Sequence, residues 1–219
     1  MTKTTFFNQH TKLTRSLKKF ILDYEEQLAT EIFEQFLENL HEELQNASHA
    51  LSESSPGVMR ALKLQELVDA EIAEGSDIPV SCAKGCSACC HMEVEITSYE
   101  AEVLKHLIED GMSIDRDRLQ QQSQRALQDP EWRKGMRNEI NKCVFLNHEG
   151  ACRIYENRPV MCRRHSVTSA PENCEFLESK IVIRYFPKVD LLISAANEDP
   201  ALEIGPLAKM LELTLSQKR

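Results

Sequence analysis

Between residues 13 and 51 apolar side chains recur at helical spacing: Leu13, Leu17, Phe20, Tyr24, Leu28, Ile32, Phe36, Leu40, Leu44, Ala47 and Leu51, with acidic residues between them. A stripe of that period marks one long amphipathic helix or two in succession. The turn-forming run Ser52-Glu53-Ser54-Ser55-Pro56-Gly57 ends it, and another helical stretch follows as far as Gly75. Two antiparallel helices are the simplest packing for such a pair. Pro79 disfavours helix at Ile78, which places the residues after it on a loop.

Farther along, residues 91–96 alternate briefly between polar and apolar, and Thr97 with Glu100 forms a T-x-x-E capping box. That box opens a helix through Tyr99, Val103, Leu104, Leu107 and Ile108 to Gly111. Residues 114–140 are Gln-rich with a sparser apolar set, Leu119, Leu127, Trp132 and Met136, and Asp129-Pro130 divides them into two expected helices. In residues 143–164, β-prone side chains flank an Asn147-His148-Glu149-Gly150 turn, the pattern of a short hairpin carrying Cys143 and Cys152. From Ile181 the chain reads as helical again, broken near Pro187, Pro200 and Gly205. The fold class is therefore mainly α: a helical protein with a small irregular cysteine-rich core and a short β-hairpin. The expected division is a helical segment over 1–75, a cysteine-cluster domain over 76–180, and a C-terminal helical segment over 181–219.

A chain of 219 residues buries a sizeable core without disulfide staples. Its formal charge of -9 opposes unspecific attraction to phosphate backbones, so nucleic acid is not an expected partner. The first twenty residues are basic but lack the apolar run of a signal peptide, and no later stretch is long and apolar enough for a membrane span. A cytoplasmic location and reduced thiols follow as expectations.

The eight cysteines carry the chemistry. Cys82, Cys86, Cys89 and Cys90 form a C-x-x-x-C-x-x-C-C run, and Cys143, Cys152, Cys162 and Cys174 follow a long interval, so folding brings two halves of a ligand set together. All eight are candidate metal ligands. Four thiolates suit a tetrahedral zinc ion or a 4Fe-4S cluster, and the early spacing, which lacks paired C-x-x-C knuckles, tips the balance toward iron-sulfur. Neighbouring Cys89 and Cys90 project in different directions from loop backbone, which suggests that one serves a second site. Arg158 and Arg163 flank Cys162 and are candidate cofactor-binding residues, offsetting the negative charge of a thiolate centre. His91 and His165 adjoin cysteines and read as hydrogen-bonding neighbours, while the acidic N-terminal helices offer a surface for a protein partner.

With Cys82-Ala83-Lys84-Gly85-Cys86-Ser87-Ala88-Cys89-Cys90, Cys143, Cys152-Arg153-Ile154-Tyr155 and Arg158-Pro159-Val160-Met161-Cys162-Arg163, the chain resembles the bacterial YkgJ-type cysteine-cluster family. The resemblance spans roughly residues 82–174 and implies chelation of zinc or iron; some members carry the name Fe-S oxidoreductase. Flagellin lysine N-methylases resemble that family in their cysteine domain, which gives a protein-lysine methylase-like enzyme as one alternative and a zinc-stabilised interaction module as another. No Gly-rich nucleotide fingerprint accompanies the methylase reading. The C-x-x-x-C-x-x-C spacing is shared with radical S-adenosylmethionine enzymes, but Ala88 stands where those usually have an aromatic residue, and strands for their barrel are too few.

Overall fold

The computed structural model describes residues 1–75, 77–133, 138–176 and 178–217, so Met136 of the sparse apolar set lies outside the described residues. Two units emerge from the chain: residues 1–75 with 185–202, and residues 77–184 with 203–217. The C-terminal residues 181–219 are thus divided between them. Among the described residues no helix is long and apolar enough to cross a membrane.

The first unit is all helix: α1 (Lys3–Gln9), α2 (Arg15–Glu25), α3 (Thr30–Ser52), α4 (Val58–Glu74) and α8 (Pro187–Asn197). Thr2 and Thr14 cap α1 and α2 by accepting backbone N–H groups with their hydroxyls. The stripe over residues 13–51 resolves into two helices, and the break shifts its phase. Helix α2 buries Leu17 and Ile21, while α3 buries Phe33, Leu37, Leu40, Leu44, Ala47 and Leu51. Ile32, which continues the uninterrupted stripe, is 58% exposed. Around the break Phe20, Tyr24 and Phe36 form an aromatic group, with Tyr24 stacked on Phe36 at 5.1 Å. Helix α8 is buried from Val189 to Ala196, and its buried Asp190 accepts the Thr14 hydroxyl at 2.6 Å.

The second unit contains β1 (Glu95–Thr97), α5 (Ser98–Glu109), α6 (Arg116–Ser123), α7 (Val160–Arg164), β2 (Ile204–Pro206) and α9 (Leu207–Ser216). Strands β1 and β2 pair antiparallel with Ile96 opposite Gly205. A Cβ on Gly205 would stand 2.8 Å from the Met210 sulfur, so glycine lets β2 lie close over α9. Ile96, Leu104, Leu119, Phe145, Ile154 and Leu211 form the core between these elements. The hairpin expected over 143–152 takes its shortest form, one antiparallel bridge from Leu146 to Cys152 around the Asn147–Gly150 turn. Of the two helices expected over 114–140, α6 forms; for the second, the described residues show 3-10 turns at Pro130–Arg133 and Glu139–Asn141, and residues 134–137 lie outside the described residues.

Candidate metal centre

Residues 77–87 form the predicted loop. It turns at Gly85, whose φ of +98 favours a residue without a Cβ, and closes with the Cys86 N–H donating to the Ala83 carbonyl at 3.0 Å. The chain then tightens into a 3-10 turn, Ala88–His91, wound by bonds from Cys90 N–H to Ser87 O and from Met92 N–H to Cys89 O. Cys82 and Cys86 therefore sit on the loop, and Cys89 and Cys90 on one tight turn.

Backbone bonds bring the later cysteines to this turn. The Cys143 N–H donates to the Cys90 carbonyl at 2.8 Å, and the Ser81 N–H donates to the Val167 carbonyl at 2.9 Å. The Val167 N–H in turn donates to the Cys82 sulfur at 3.3 Å. Cys143 and Cys152 accept the amides of Phe145 and Ile154, each two residues ahead. Three sulfurs from three segments are thus oriented by backbone N–H donors, which favour the thiolate form of each. Cys174 is buried on the 3-10 turn Pro171–Glu175 beside Ala88 and Val167.

Cys162 is placed by a carboxylate. Glu100, 1% exposed, is the N3 residue of the predicted capping box. Its Oε2 accepts the Thr97 N–H at 2.9 Å and the Thr97 hydroxyl at 3.1 Å, while Oε1 accepts the Val160 N–H at 2.8 Å. One buried side chain thereby caps α5 and holds the first residue of α7, two before Cys162. Burial pushes the Glu100 carboxyl up, against the pull of these donors and of Arg163.

The electrostatics sort the thiols. Cys90 donates its S–H to Cys89, which lowers the Cys89 pKa against the effect of burial, and Arg158 lowers it further. The same bond, then burial and the neighbouring Cys89, Cys143 and Cys152, drive Cys90 far up. Burial pushes Cys143 up to about 12, with Cys152 and Cys89 adding to it. Burial also raises Cys162, and Cys143, Cys89, Glu100 and Cys152, when ionised, repel its thiolate and raise it further. Cys82 and Cys174 are raised by burial and repelled by Cys86 and Cys89. By mutual repulsion the thiols fall into two groups, Cys82, Cys86 and Cys174 in one and Cys90, Cys143, Cys152 and Cys162 in the other, with Cys89 acting on both. Among the described residues no three Cys, His, Asp or Glu side chains are gathered around a single point to hold one ion.

The two arginines divide their work. Arg158 stacks on Tyr155, 3.8 Å from the ring centroid, donates to the Tyr155 carbonyl at 2.9 Å, and favours the thiolates of Cys82, Cys89 and Cys152. Arg163 donates to the carbonyls of Arg158 and Glu156 and acts electrostatically on Glu100. Lys84 lies 5.4 Å from the same Tyr155 ring, so this aromatic residue ties the early loop to the later segment. His91 bonds through Nδ1 to the Ser87 carbonyl at 3.2 Å, and burial lowers the pKa of both His91 and His165. Glu100, Tyr155 and Val167 were not among the residues singled out as site residues from the sequence. Glu100 carried a local signal in its place in the capping box, Tyr155 stood in the Cys152–Tyr155 motif that carries the family resemblance, and Val167 carried none.

Residues 81–181 match the family model CxxCxxCC, described as a "putative zinc- or iron-chelating domain". This segment is a CxxCxxCC domain. No curated protein and no solved structure matches the chain. The donors of the CxxCxxCC domain suit such a metal in kind: soft thiols from both halves of the domain, amide donors on three sulfurs, and a guanidinium as counter-charge.

Proposed function

We propose that the CxxCxxCC domain holds an iron-sulfur cluster through cysteines of both halves of the run, and that the protein is an electron carrier or redox protein. The observation that supports this most is the meeting of both halves of the run, with the Cys143 N–H on the Cys90 carbonyl and the Val167 N–H on the Cys82 sulfur, because an amide donor at sulfur stabilises a thiolate and tunes a cluster's potential. Cys90, Cys143, Cys152 and Cys162 are the proposed ligands of one set, and Cys82, Cys86 and Cys174 belong to a second, with Cys89 between them. When bound, the cluster would supply one-electron chemistry. The chain's own part is to space the thiols, with Arg158 favouring the thiolates of Cys82, Cys89 and Cys152 and Glu100 fixing α7.

The test is the metal and sulfide content of anaerobically purified protein, with its visible spectrum. Brown protein with iron and acid-labile sulfide is expected; colourless, zinc-loaded protein would sink the redox reading. A zinc-stabilised interaction module is the second reading. It draws support from α2 and α3, where Leu22 and Ile32 are 42% and 58% exposed, apolar side chains that a protein partner would cover.

A further inference from the structure

Buried polar atoms in a folded chain find hydrogen-bond partners, so one that has none calls for an explanation. Among the described residues two buried side-chain atoms have none, the Ser166 hydroxyl and Trp132 Nε1. A hydroxyl rotates to suit its surroundings, whereas an indole N–H is a donor only and is fixed in the plane of its ring. Trp132 also lines a cavity of about 20 Å³ together with Cys143, one of the proposed metal ligands. A single water needs roughly 10–15 Å³, so this cavity admits one water and nothing much larger.

Both residues are held where they stand. The Trp132 backbone N–H donates to the Asp129 carbonyl at 3.1 Å, and Asn141 Nδ2 donates to the Glu131 carbonyl at 2.9 Å. Arg125 lies over the indole, 4.5 Å from its centroid, and donates to Asn141 Oδ1 at 2.8 Å and to the Ile140 carbonyl at 3.2 Å. A guanidinium on the ring face is attracted to the π electrons, and the density it withdraws makes the N–H a stronger donor. Cys143 is fixed by its own N–H on the Cys90 carbonyl at 2.8 Å and by the Phe145 amide on its sulfur.

The rest of the lining narrows the choice of acceptor. Met92, Val94, Leu207 and Ala208 are apolar or thioether. Gln122 gives its amide N–H groups to the Ile140 and Lys142 carbonyls at 3.0 and 3.1 Å, and the Asn141 oxygen accepts from Arg125. The acceptors left among the lining side chains are the Gln122 oxygen and the Cys143 sulfur. Only the sulfur changes character on metal uptake, from a weak thiol acceptor to a thiolate that accepts hydrogen bonds about twice as strong.

We propose that the Trp132 indole N–H is a positioning donor to the metal centre, reaching the Cys143 thiolate through the single water that the cavity admits. The inference rests on the proposed ligand role of Cys143, and Trp132 acts through that sulfur rather than on a metal or substrate.

Trp132 is the only tryptophan, so isotope labelling of tryptophan gives a single indole N–H signal. Feeding benzothienylalanine in its place keeps two fused rings and removes the N–H at this one position. The full chain is titrated anaerobically with cadmium, a diamagnetic ion that thiolates bind. The indole signal is expected to move downfield with cadmium uptake and its exchange with solvent to slow. The benzothienylalanine chain is expected to bind cadmium about tenfold more weakly in chelator competition, with the unfolding midpoint of the metal-free chain unchanged. Cadmium uptake that leaves the indole signal in place, or equal affinity in the two chains, overturns the donor role and leaves the metal centre standing. An indole signal already downfield and protected before cadmium is added assigns the N–H to the Gln122 oxygen and likewise overturns it. A chain that takes up no cadmium overturns the thiolate centre itself, and the donor role with it.

Discussion

Glu100 is the side chain through which the fold reaches Cys162, and Glu100→Gln isolates what its second oxygen does. The carboxylate accepts from two backbone N–H groups, Thr97 and Val160, and from the Thr97 hydroxyl, all in a buried setting. Glutamine keeps the shape and one acceptor oxygen but turns an NH2 group toward one of those amides. A buried N–H left without an acceptor costs about 1–3 kcal/mol. With a urea m value of about 1–3 kcal/mol/M for a unit of this size, the unfolding midpoint should fall by on the order of 1 M. Glu100→Ala leaves both amides without acceptors and should cost roughly twice as much. Trp132 is the single tryptophan and lies in the same unit as Glu100, so its fluorescence reports unfolding where the change is made.

The pH dependence separates this account from a general loss of packing. Burial holds the Glu100 carboxyl above the ordinary value of 4.5, so the folded protein binds this proton more tightly than the unfolded chain does. Stability from the group is therefore complete below the ordinary carboxylate value and is lost as pH rises through the folded one. The protonated carboxyl can still accept an N–H through its hydroxyl oxygen, which the amide nitrogen of Gln cannot. Wild type should thus exceed Glu100→Gln by most in acid, with the gap narrowing as pH rises. Equal midpoints at all pH values, or a gap that widens with pH, would refute the reasoning.

Other outcomes follow from the thiols. Burial raises Cys82, Cys143, Cys152, Cys162 and Cys174, so these proposed ligands are protonated near neutrality and metal uptake through them must release their protons. Affinity measured by chelator competition should rise with pH, by about one log unit per pH unit for each proton displaced; a flat profile would exclude these thiols as ligands. Cys143→Ser and Cys174→Ser strike different thiol sets, so each should remove part of the bound metal and the double variant nearly all; identical loss in either single variant would show one shared centre. Arg158→Gln removes the cation that favours the thiolates of Cys89, Cys152 and Cys82, and should weaken metal binding about 10–100-fold, read in the same competition assay; unchanged affinity would assign Arg158 to the Tyr155 stack alone.

What could be read from the sequence follows the range of the interactions. The Thr97–Glu100 capping box was legible because its two halves lie three residues apart, and α5 begins where it predicts. The bond from the same Glu100 to Val160 spans sixty residues and leaves no local trace. The stripe over residues 13–51 was real, but a helical period counts through a short loop as though the helix continued, so Ile32 was placed on a buried face it does not occupy. Strand β1 was foreshadowed by brief alternation, whereas its partner lies across residues 204–206, beyond any hairpin rule. The early and late cysteines were recognisable as one set from type and spacing. Their sorting was not, because it depends on the Cys143–Cys90 backbone bond and on the Val167 amide at Cys82.

Cys89 and Cys90 show why adjacency in sequence need not mean joint ligation. On a 3-10 turn successive side chains diverge by about 120°, given its three residues per turn. Cys89 accordingly lines a cavity with Cys162, while Cys90 shares its carbonyl with the Cys143 amide and its strongest thiol repulsion with Cys89, Cys143 and Cys152. The two thiols nevertheless act on one another, Cys89 being lowered and Cys90 raised by their contact. A metal that takes Cys90 must displace its proton, and the stabilisation of the Cys89 thiolate then has to come from Arg158 or from the metal itself. Loading of the set around Cys143 and the state of Cys89 are therefore coupled. Two centres built on this turn would fill with linked rather than independent affinities.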